Sequence, residues 1–255
     1  MKRRMKKTRT NLDGGLRTRQ EQEAAEELAQ IFDDSPKSTR EKLDHFTKYV
    51  RRQRITRFLS LYELFKLVLP IKGSIIECGV YEGFDLMTWA QLSAILEPVN
   101  LTRRIYGFDT FEGFPSVSKK DESKYAKIRR SSLSANSHSE LEKLIKVYDS
   151  NRFLGHVNKV ALIKGDARVT IPAFLNENKH LIVSLLFLDF DLFEPTRVAL
   201  DHLRPRMCEG AVIAFDELDN PIWPGETLAL LETIGINNVK IQRFDFDPYI
   251  GYIIM

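Results

Sequence analysis

The chain has 255 residues, of which 43% are hydrophobic and 29% are charged, and its net charge is +3 at pH 7. This length corresponds to one large domain or two small ones, and the composition is that of a globular protein. A largely disordered chain, a collagen and a coiled coil are therefore excluded. The two cysteines, Cys78 and Cys208, are too few for a disulfide framework.

The sequence shows neither a membrane-spanning nor a secretory segment. Its longest apolar run, residues 181–188, is much shorter than the ~20 residues that cross a bilayer. The basic start leads into no apolar segment of the kind that a secretory signal contains. We therefore expect a cytoplasmic protein without a transmembrane segment.

Two stretches near the N-terminus are strongly basic. Residues 1–20 hold eight Lys or Arg and one acid, and residues 37–57 hold eight basic and two acidic residues. Such runs bind phosphates, nucleic acid or anionic membranes in some proteins, but a solvated tail followed by a charged helix face is more frequent. Because no aromatic residue precedes Phe32, stacking groups for a single-stranded nucleic acid are missing. We predict a flexible basic tail over residues 1–20.

Helical patterns dominate residues 21–70. Residues 21–32 predict a short amphipathic helix, and residues 40–69 predict one or two helices, which Pro70 ends. These helices form a predicted N-terminal extension that precedes the main domain.

From Gly73 onward, short apolar runs alternate with helical patterns. This alternation predicts an α/β domain with a mostly parallel sheet that is covered by helices on both faces. Two apolar runs that flank DFDP at 245–248 predict a C-terminal hairpin with an antiparallel last strand. The predicted strands are 74–78, 105–108, 160–163, 182–188, 211–215, 239–244 and 249–254, and the predicted helices are 84–96, 169–176, 195–203 and 226–234.

Residues 111–158 interrupt this alternation. They have weak sheet character and include a Ser/Asn-rich stretch at 131–139. A segment of this length inside a compact domain is usually functional or disordered. We predict a mobile, lid-like insertion that contains a helix near residues 139–148.

Ligands of open α/β sheets bind beyond the carboxyl ends of the strands, so the residues that follow each strand are the candidate site. After the first strand, Gly79 and Gly83 allow a tight turn and a close approach to a ligand. Glu77 suits a ligand that carries an amine or hydroxyl groups. The turn lacks the GxGxxG pattern of dinucleotide-binding proteins, and a glycine turn without any ligand fits the same residues.

Acids also follow the second and third strands. Asp109 stands 32 residues after Glu77, where an acid commonly binds ribose hydroxyls, or it caps a turn. Asp166 either accepts a hydrogen bond from an adenine amino group or is the N-cap of the next helix. These acids do not separate a nicotinamide dinucleotide from a methyl donor.

Four carboxylates follow the next two strands, namely those of Asp189, Asp191, Asp216 and Glu217. Because these strands are expected to be neighbours, Asp189, Asp216 and Glu217 can converge on one point, where they repel one another unless a cation neutralises them. Ligation by oxygen alone suits Mg²⁺, Mn²⁺ or Ca²⁺. We predict that these three residues form a divalent-metal site.

Together, the strand ends resemble those of class I S-adenosylmethionine-dependent methyltransferases, and more narrowly the macrocin (mycinamicin-type) sugar O-methyltransferase family. The resemblance runs from about residue 54 to the C-terminus. It implies a Rossmann-like methyltransferase domain at residues 71–255, with a seven-stranded sheet whose last strand is antiparallel. The segments that carry it are IECGVYEG at 76–83, DTFEGFP at 109–115, DFDLFE at 189–194, and Asp216-Glu217 followed by Pro224-Gly225.

The resemblance also implies the cofactors. S-adenosylmethionine is expected to place its methionine part at Glu77 and Gly79, its ribose at Asp109 and its adenine at Asp166. Mg²⁺, or Mn²⁺, is expected on the three acids of the predicted metal site. The predicted cofactor-binding residues are Glu77, Cys78, Gly79, Tyr81, Gly83, Asp109, Thr110, Phe111, Gly165, Asp166, Ala167 and Asp189.

Two residues depart from the family pattern. Glu217 stands where Asp is common and still suits Mg²⁺, whereas Phe193 stands where Tyr is common and lacks its hydroxyl. Because residues 111–158 match the family poorly, the acceptors of its antibiotic-forming members do not carry over. We expect a hydroxyl acceptor on a sugar, a glycan or a glycosylated small molecule, with a catechol-like diol or an RNA as the alternative.

The implied reaction is an in-line displacement in which the enzyme positions and deprotonates a hydroxyl group, and a bound Mg²⁺ lowers the pKa of that hydroxyl. The candidate bases are Asp189, Asp191 and His138, although His138 also fits a plain surface histidine. Cys78 fits a packed strand-end residue better than a nucleophile.

Three other functional classes stay open at this stage. A nicotinamide-dependent oxidoreductase lacks its glycine pattern, and an inactive relative conflicts with the complete set of acids. A nucleic-acid-binding module would depend on the basic N-terminal stretches, and the rest of the sequence argues against nucleic acid as the main partner. A homo-oligomer is compatible with the sequence.

Overall fold

The computed structural model describes residues 18–255, so the predicted basic tail lies, up to residue 17, outside the described residues. Within this range, no helix combines the length and the apolar content needed to cross a membrane. The helices are α1 (Arg19–Asp34), α2 (Thr39–Asp44), α3 (Arg52–Val68), α4 (Phe84–Leu96), α5 (His138–Ser150), α6 (Ala167–Glu177), α7 (Phe193–Leu203) and α8 (Pro224–Thr233). The strands are β1 (Ser74–Cys78), β2 (Ile105–Asp109), β3 (Val160–Lys164), β4 (Val183–Leu188), β5 (Met207–Phe215), β6 (Gln242–Arg243) and β7 (Gly251–Ile254).

The seven strands form one sheet in the order β3-β2-β1-β4-β5-β7-β6. Strands β1 to β5 are parallel, and β7 pairs antiparallel with both β5 and β6. The prediction of an α/β fold with a mostly parallel sheet and an antiparallel last strand is confirmed. Its parallel order places the carboxyl ends of β1, β4 and β5 side by side.

Helices cover both faces of the sheet, and each face has its own apolar cluster. On one face, Leu61 and Phe65 of α3 pack with Trp89 of α4 against the sheet. On the other face, α6, α7 and α8 pack against the sheet. Every residue of β1 and β4 is buried, because both sides of these strands are covered. This double cover explains why their sequences are nearly continuous apolar runs.

Helix α3, the last helix of the predicted N-terminal extension, belongs to this core. The segment predicted as one or two helices contains two α-helices, α2 and α3. Helix α2 buries Lys42 alone, whereas α3 buries several apolar side chains. Arg103, which is 2% exposed, holds the end of α3 by donating to the carbonyl oxygens of Val68 (2.8 Å) and Ile71 (2.9 Å). Its charge is compensated by Glu97 at 3.0 Å. Helix α1, by contrast, has no buried residue.

The predicted insertion contains α5, whose first residue is His138, and a loop that is fastened to the strand ends. Asp121, which is 1% exposed, accepts a hydrogen bond from the backbone N–H of Phe193 at 2.6 Å. The Ser123 hydroxyl donates to the carbonyl oxygen of Pro221 at 2.7 Å. The insertion therefore lies against the loops that follow β4 and β5, and its role as a lid stays a prediction.

Candidate functional site

The carboxyl ends of β1, β4 and β5 meet at one edge of the sheet, where backbone hydrogen bonds tie them together. The N–H of Asp189 donates to Cys78 O at 2.8 Å, and the N–H of Asp216 donates to Leu188 O at 2.9 Å. At Gly79, φ is +100°, and a Cβ would lie 1.9 Å from the carbonyl oxygen of Asp189. Only glycine lets these two loops approach so closely.

An arginine of α3 joins three acids at this edge. The Arg57 Nε lies 3.1 Å from both carboxylate oxygens of Asp85, and its terminal nitrogens pair with Asp216 and, at 3.0 Å, with Asp189. The guanidinium also lies over the ring of Phe187, 5.1 Å from its centroid. Although burial opposes the charged form, the three carboxylates raise the pKa of Arg57 well above its ordinary value. Arg57 is therefore a permanent cation in the site.

A fully buried acid of α8, Glu226, organises the loops that follow β4 and β5. Its carboxylate accepts hydrogen bonds from the backbone N–H of Asp191 at 3.2 Å and of Glu217 at 3.1 Å. Asp191 has a φ of 60°, which costs a residue with a side chain about 1 kcal/mol or more. Glu226 thus holds Asp191 and Glu217 in position through their backbones.

The acids at this edge form an acidic cluster, and burial raises the pKa of each of them. The members of the acidic cluster are Asp189, Asp191, Asp216, Glu217 and Glu226. Loss of hydration, followed by repulsion from neighbouring carboxylates, raises the pKa of Asp189, Asp191 and Glu226 well above the ordinary values. The same two causes raise the pKa of Glu217 to about 8. Arg57 brings one positive charge to three of the surrounding carboxylates, those of Asp85, Asp189 and Asp216, which therefore outnumber it. Such a site favours the binding of a further cation.

The donor chemistry of the cluster fits a divalent metal ion, because carboxylate oxygens are the ligands that Mg²⁺ and Mn²⁺ prefer. Within residues 18–255, however, no group of three or more His, Cys, Asp or Glu side chains is arranged to hold a metal. Arg57 links Asp189 to Asp216 instead, and the carboxylate of Glu217 accepts a hydrogen bond from Asn220. The metal site stays a prediction.

At the end of β1, Glu77 is a fully buried carboxylate, and neither of its oxygens has a hydrogen-bond partner among the described residues. Loss of hydration and the charge of Asp85 raise its pKa well above the ordinary value. The indole of Trp89 favours the charged form of Glu77 but does not reach hydrogen-bond geometry. Since buried polar groups normally have partners, this carboxylate fits a ligand that brings its own donor, such as an ammonium group.

At the end of β2, the Asp109 carboxylate is engaged by backbone groups. One oxygen accepts the N–H groups of Val80 and Tyr81, both at 2.8 Å, and the other accepts the N–H of Phe111 at 2.6 Å. Tyr81 and Phe111 have positive φ values of 51° and 59°. Asp109 therefore stabilises both strained turns, which confirms the turn-capping interpretation. Its contact with a ribose stays a prediction.

At the end of β3, Asp166 is the N-cap of α6. It accepts a hydrogen bond from the backbone N–H of Arg168 at 3.0 Å, and the Arg168 Nε lies 2.9 and 3.1 Å from its two oxygens. The N-cap interpretation is confirmed, and the adenine contact stays a prediction. Gly165, with a φ of +143°, and Ala167, which is buried, flank it.

Three further predicted residues line the same turns. Cys78 is buried, and burial raises the pKa of its thiol well above the ordinary value, so it packs in the strand as expected. Gly83 is the N-cap of α4, and a Cβ there would lie 2.2 Å from the side chain of Leu141, so α5 closes over this turn. The Thr110 hydroxyl donates to Gly113 O at 2.7 Å.

His138, the third candidate base, lies beside the end of β2. Its ring packs edge-on against Phe111, with 4.9 Å between the ring centroids, and its Nδ1 is 3.7 Å from the Glu142 carboxylate. None of its hydrogen bonds, ion pairs or ring contacts within the described residues involves the acids of β4 and β5. The structure thus brings Asp189 and Asp191 into the acidic cluster and places His138 outside it.

Sequence reasoning assigns no site role to Arg57, Asp85 or Glu226. A signal for Arg57 is nevertheless present, because it precedes Leu61 by four residues and Leu64 by seven, which is the spacing of one helix face. A basic residue on an otherwise buried face needs a counter-charge. For Glu226, the signal is its place directly after the Pro224-Gly225 pair of the family pattern.

Comparisons with known proteins show which family and which solved structures the chain is similar to. The sequence matches the sequence model of the macrocin O-methyltransferase (TylF) family over residues 4–232. A search of curated proteins gives no match. The structure of CalS11, a calicheamicin methyltransferase, is similar, with 34% identity, 93% of each chain covered and a TM-score of 0.88.

Two further solved structures are informative. An apo structure of CalS11, described as a TDP-rhamnose 3'-O-methyltransferase of calicheamicin biosynthesis, shares 33% identity, covers 93% of this chain and 95% of its own, and has a TM-score of 0.82. The O-methyltransferase NovP shares 21% identity over 78% of this chain and 79% of its own, with a TM-score of 0.62, and supports the fold alone.

Proposed function

Because the chain belongs to the macrocin O-methyltransferase family, we propose that it transfers a methyl group from S-adenosylmethionine to a hydroxyl group of a sugar or of a glycosylated small molecule. The similarity to CalS11, described as a TDP-rhamnose 3'-O-methyltransferase, carries the proposal, because it spans nearly all of both chains. The family match favours this reaction over the oxidoreductase and nucleic-acid-binding interpretations.

S-adenosylmethionine would lie across the carboxyl ends of β1 and β2, where it supplies a methyl group already activated on a sulfonium. The buried Glu77 carboxylate without a partner supports this placement, because the methionyl ammonium group is the donor that it lacks. The residues that would hold the molecule are Glu77, Cys78, Gly79, Tyr81 and Gly83 in the first turn, Asp109, Thr110 and Phe111 in the second, Gly165, Asp166 and Ala167 in the third, and Asp189 in the fourth.

A divalent cation, Mg²⁺ or Mn²⁺, would bind to Asp189, Asp216 and Glu217. The excess of buried carboxylates in this cluster supports the proposal. Binding of the cation would require Arg57 to loosen its contacts with Asp189 and Asp216. Bound there, the cation supplies Lewis acidity at the acceptor hydroxyl group.

Asp191 is the base that we propose. Burial and the charge of Glu217 raise its pKa, which strengthens its affinity for a proton at neutral pH. Asp189 is paired with Arg57, and His138 lies outside the acidic cluster. The Asp191 carboxylate would therefore take the proton of the acceptor hydroxyl group, whose oxygen would receive the methyl group that S-adenosylmethionine supplies.

The acceptor class is tested with the full-length protein, S-adenosylmethionine and a panel of nucleotide-activated and free sugars. We expect S-adenosylhomocysteine to form with at least one sugar and mass spectrometry to locate the new methyl group on a hydroxyl oxygen. Methylation of a catechol or an RNA, with no sugar accepted, would replace the proposed acceptor class. Asp201, an exposed acid of α7, provides the control substitution Asp201→Asn for the variants below.

Two measurements test the assigned roles. General-base catalysis contributes about 10²- to 10⁴-fold, so Asp191→Asn should lower kcat by at least about 100-fold while calorimetry shows nearly unchanged affinity for S-adenosylhomocysteine.

Asp216→Ala and removal of metal by a chelator should each abolish turnover, and added Mg²⁺ should restore the chelated enzyme. Equal turnover with and without the chelator would contradict the metal proposal and leave methyl transfer standing.

A further inference from the structure

The guanidinium of Arg57 is held by residues from three separate elements. A guanidinium has five N–H donors in a fixed fork, and Arg57 directs this fork at Asp85 of α4, at Asp189 after β4 and at Asp216 after β5. The side chain is only 16% exposed and also contacts the ring of Phe187. Arg57 thus occupies the space between the acid-bearing loops.

Two of these three partners are also proposed metal ligands. A carboxylate that ligates Mg²⁺ does so at about 2.0–2.1 Å, and the dication repels any guanidinium held by the same oxygens. Asp189 and Asp216 therefore cannot serve both cations fully at once. Asp85 is not among the proposed ligands, and its two-point contact with Arg57 gives the guanidinium a partner that metal binding leaves in place.

The backbone that carries Arg57 is fixed. Helix α3 is anchored by fully buried core residues such as Leu61 and Phe65, and Arg103 holds its C-terminal end. A change in the contacts of Arg57 is therefore a movement of its long, flexible side chain toward Asp85 rather than a shift of the helix.

We infer that Arg57 is an internal counter-cation that pairs with Asp189 and Asp216 in the metal-free protein and competes with the divalent cation for them. The inference rests on the proposed metal site and adds a positioning residue from outside the strand ends. It has two consequences. In the metal-free protein Arg57 holds Asp189 and Asp216 together, and the metal affinity is set partly by how readily Arg57 gives up these two contacts while it keeps Asp85.

The test is a titration of the chelator-treated protein with Mn²⁺, followed by calorimetry and by the spin-resonance signal of free Mn²⁺. We compare the wild type with Arg57→Gln, which removes the competing charge, and with Arg57→Lys, which keeps the charge without the fork. Arg54→Gln is the matched control, because Arg54 is an exposed residue of the same helix that lies over the ring of Phe84.

Competition predicts that Arg57→Gln binds Mn²⁺ at least about tenfold more tightly than the wild type, that Arg57→Lys lies between them, and that Arg54→Gln equals the wild type. If Arg57→Gln binds Mn²⁺ and the wild type does not, the result would also support the inference, because Arg57 would then exclude the metal completely. Equal or weaker binding by Arg57→Gln, with Mn²⁺ bound by the wild type, would overturn the inference and leave the metal proposal standing. Absence of binding in every variant would overturn both.

A melting experiment keeps the inference testable if Arg57→Gln folds poorly. In the presence of a chelator, Arg57→Gln should melt at a lower temperature than the wild type, because buried carboxylates lose their counter-charge. Mn²⁺ should raise the melting temperature of Arg57→Gln by more than it raises that of the wild type. A smaller or equal rise would count against competition.

Discussion

Among the residues of the site, two acids accept hydrogen bonds from the backbone of the surrounding loops. Glu226 binds the N–H groups of two loop residues, and Asp109 binds those of two turns. These acids fix the strained backbone from which the other acids project. The contribution of Glu226 to catalysis is therefore indirect and should be separable from cofactor binding.

Replacement of Glu226 by glutamine should lower kcat by at least about tenfold and leave the affinity for S-adenosylhomocysteine nearly unchanged. Glutamine has one acceptor oxygen, so either Asp191 or Glu217 loses its backbone partner, and an unsatisfied buried N–H costs about 1–3 kcal/mol. Steady-state kinetics and calorimetry measure the two effects. Glu232→Gln, at an exposed position of α8, is the control. Wild-type kcat in Glu226→Gln would show that the two loops hold their positions without this acid.

The buried amine of Lys159 should make the free energy of unfolding depend on pH. Its side chain is 5% exposed and donates to Asn100 O at 2.8 Å, and burial lowers its pKa from 10.5 to about 8 in spite of Glu97. Between these two pH values the unfolded chain binds more protons than the folded one, so this residue makes the free energy of unfolding rise with pH. Below pH 8, the cost of the buried charge is fully present.

Urea unfolding between pH 7 and 10 measures this contribution. Relative to Lys159→Met, the wild type should gain on the order of 3 kcal/mol across the window, since one pKa unit corresponds to about 1.4 kcal/mol. Lys146→Met, at an exposed position of α5, should leave the pH profile of the wild type unchanged. Identical pH profiles for Lys159→Met and the wild type would contradict the assignment.

At the scale of elements, the sequence predicts best where the physical signal is local. The bounds of β1 and α4 agree with the predicted 74–78 and 84–96, because glycines bracket one apolar run and start the next helix. Strand β5 begins at Met207, four residues before the predicted 211, because its first residues are exposed and partly polar and lack the apolar pattern. Strand β6 has two residues at the sheet edge, where little apolar surface marks it.

The site shows the same division between local and distant signals. That Asp189 and Asp216 share one edge follows from the order of parallel strands, which alternation along the chain predicts. That Arg57 lies between them depends on how α3 packs across the sheet, more than 130 residues away in sequence from either acid. A pattern along the chain indicates which face of α3 is buried, but not which loop this face meets.

The anchoring of the insertion gives a prediction at this scale. Asp121 accepts hydrogen bonds from the backbone of Phe193 and from Ser118, so Asp121→Ala removes a buried acceptor from both. We expect a loss of about 1–3 kcal/mol in the free energy of unfolding and faster tryptic cleavage after Lys124 and other basic residues of this loop. Mass spectrometry of timed digests measures the cleavage. Glu122→Ala, at the adjacent exposed acid, should digest like the wild type.

At the scale of the whole molecule, the contrast between α1 and α3 defines the folding unit. Helix α1 buries no residue, so a chain that lacks residues 1–35 should melt within a few degrees of the full chain. A chain that lacks residues 1–70 also loses α3. Its four completely buried apolar side chains contribute about 2 kcal/mol each, which approaches the entire stability of a typical protein. Those side chains are Leu61, Leu64, Phe65 and Val68.

We therefore propose that the functional domain includes α3 rather than beginning at residue 71. Circular dichroism and thermal melting of the two shortened chains, expressed side by side, test the proposal. A cooperative melt of residues 71–255 alone would show that the predicted boundary at residue 70 is sufficient for folding.

A small apolar cluster joins the insertion to the loop that follows β5: Ala126 packs with Ile222 and Trp223, apart from the two clusters that flank the sheet. Substitutions at sites without shared contacts have nearly additive effects on stability. Substitutions of Ala126 and substitutions within the two clusters that flank the sheet should therefore have nearly additive effects. A randomised library confined to residues 122–136, screened for methylation of a sugar panel, would show whether this segment determines the acceptor preference.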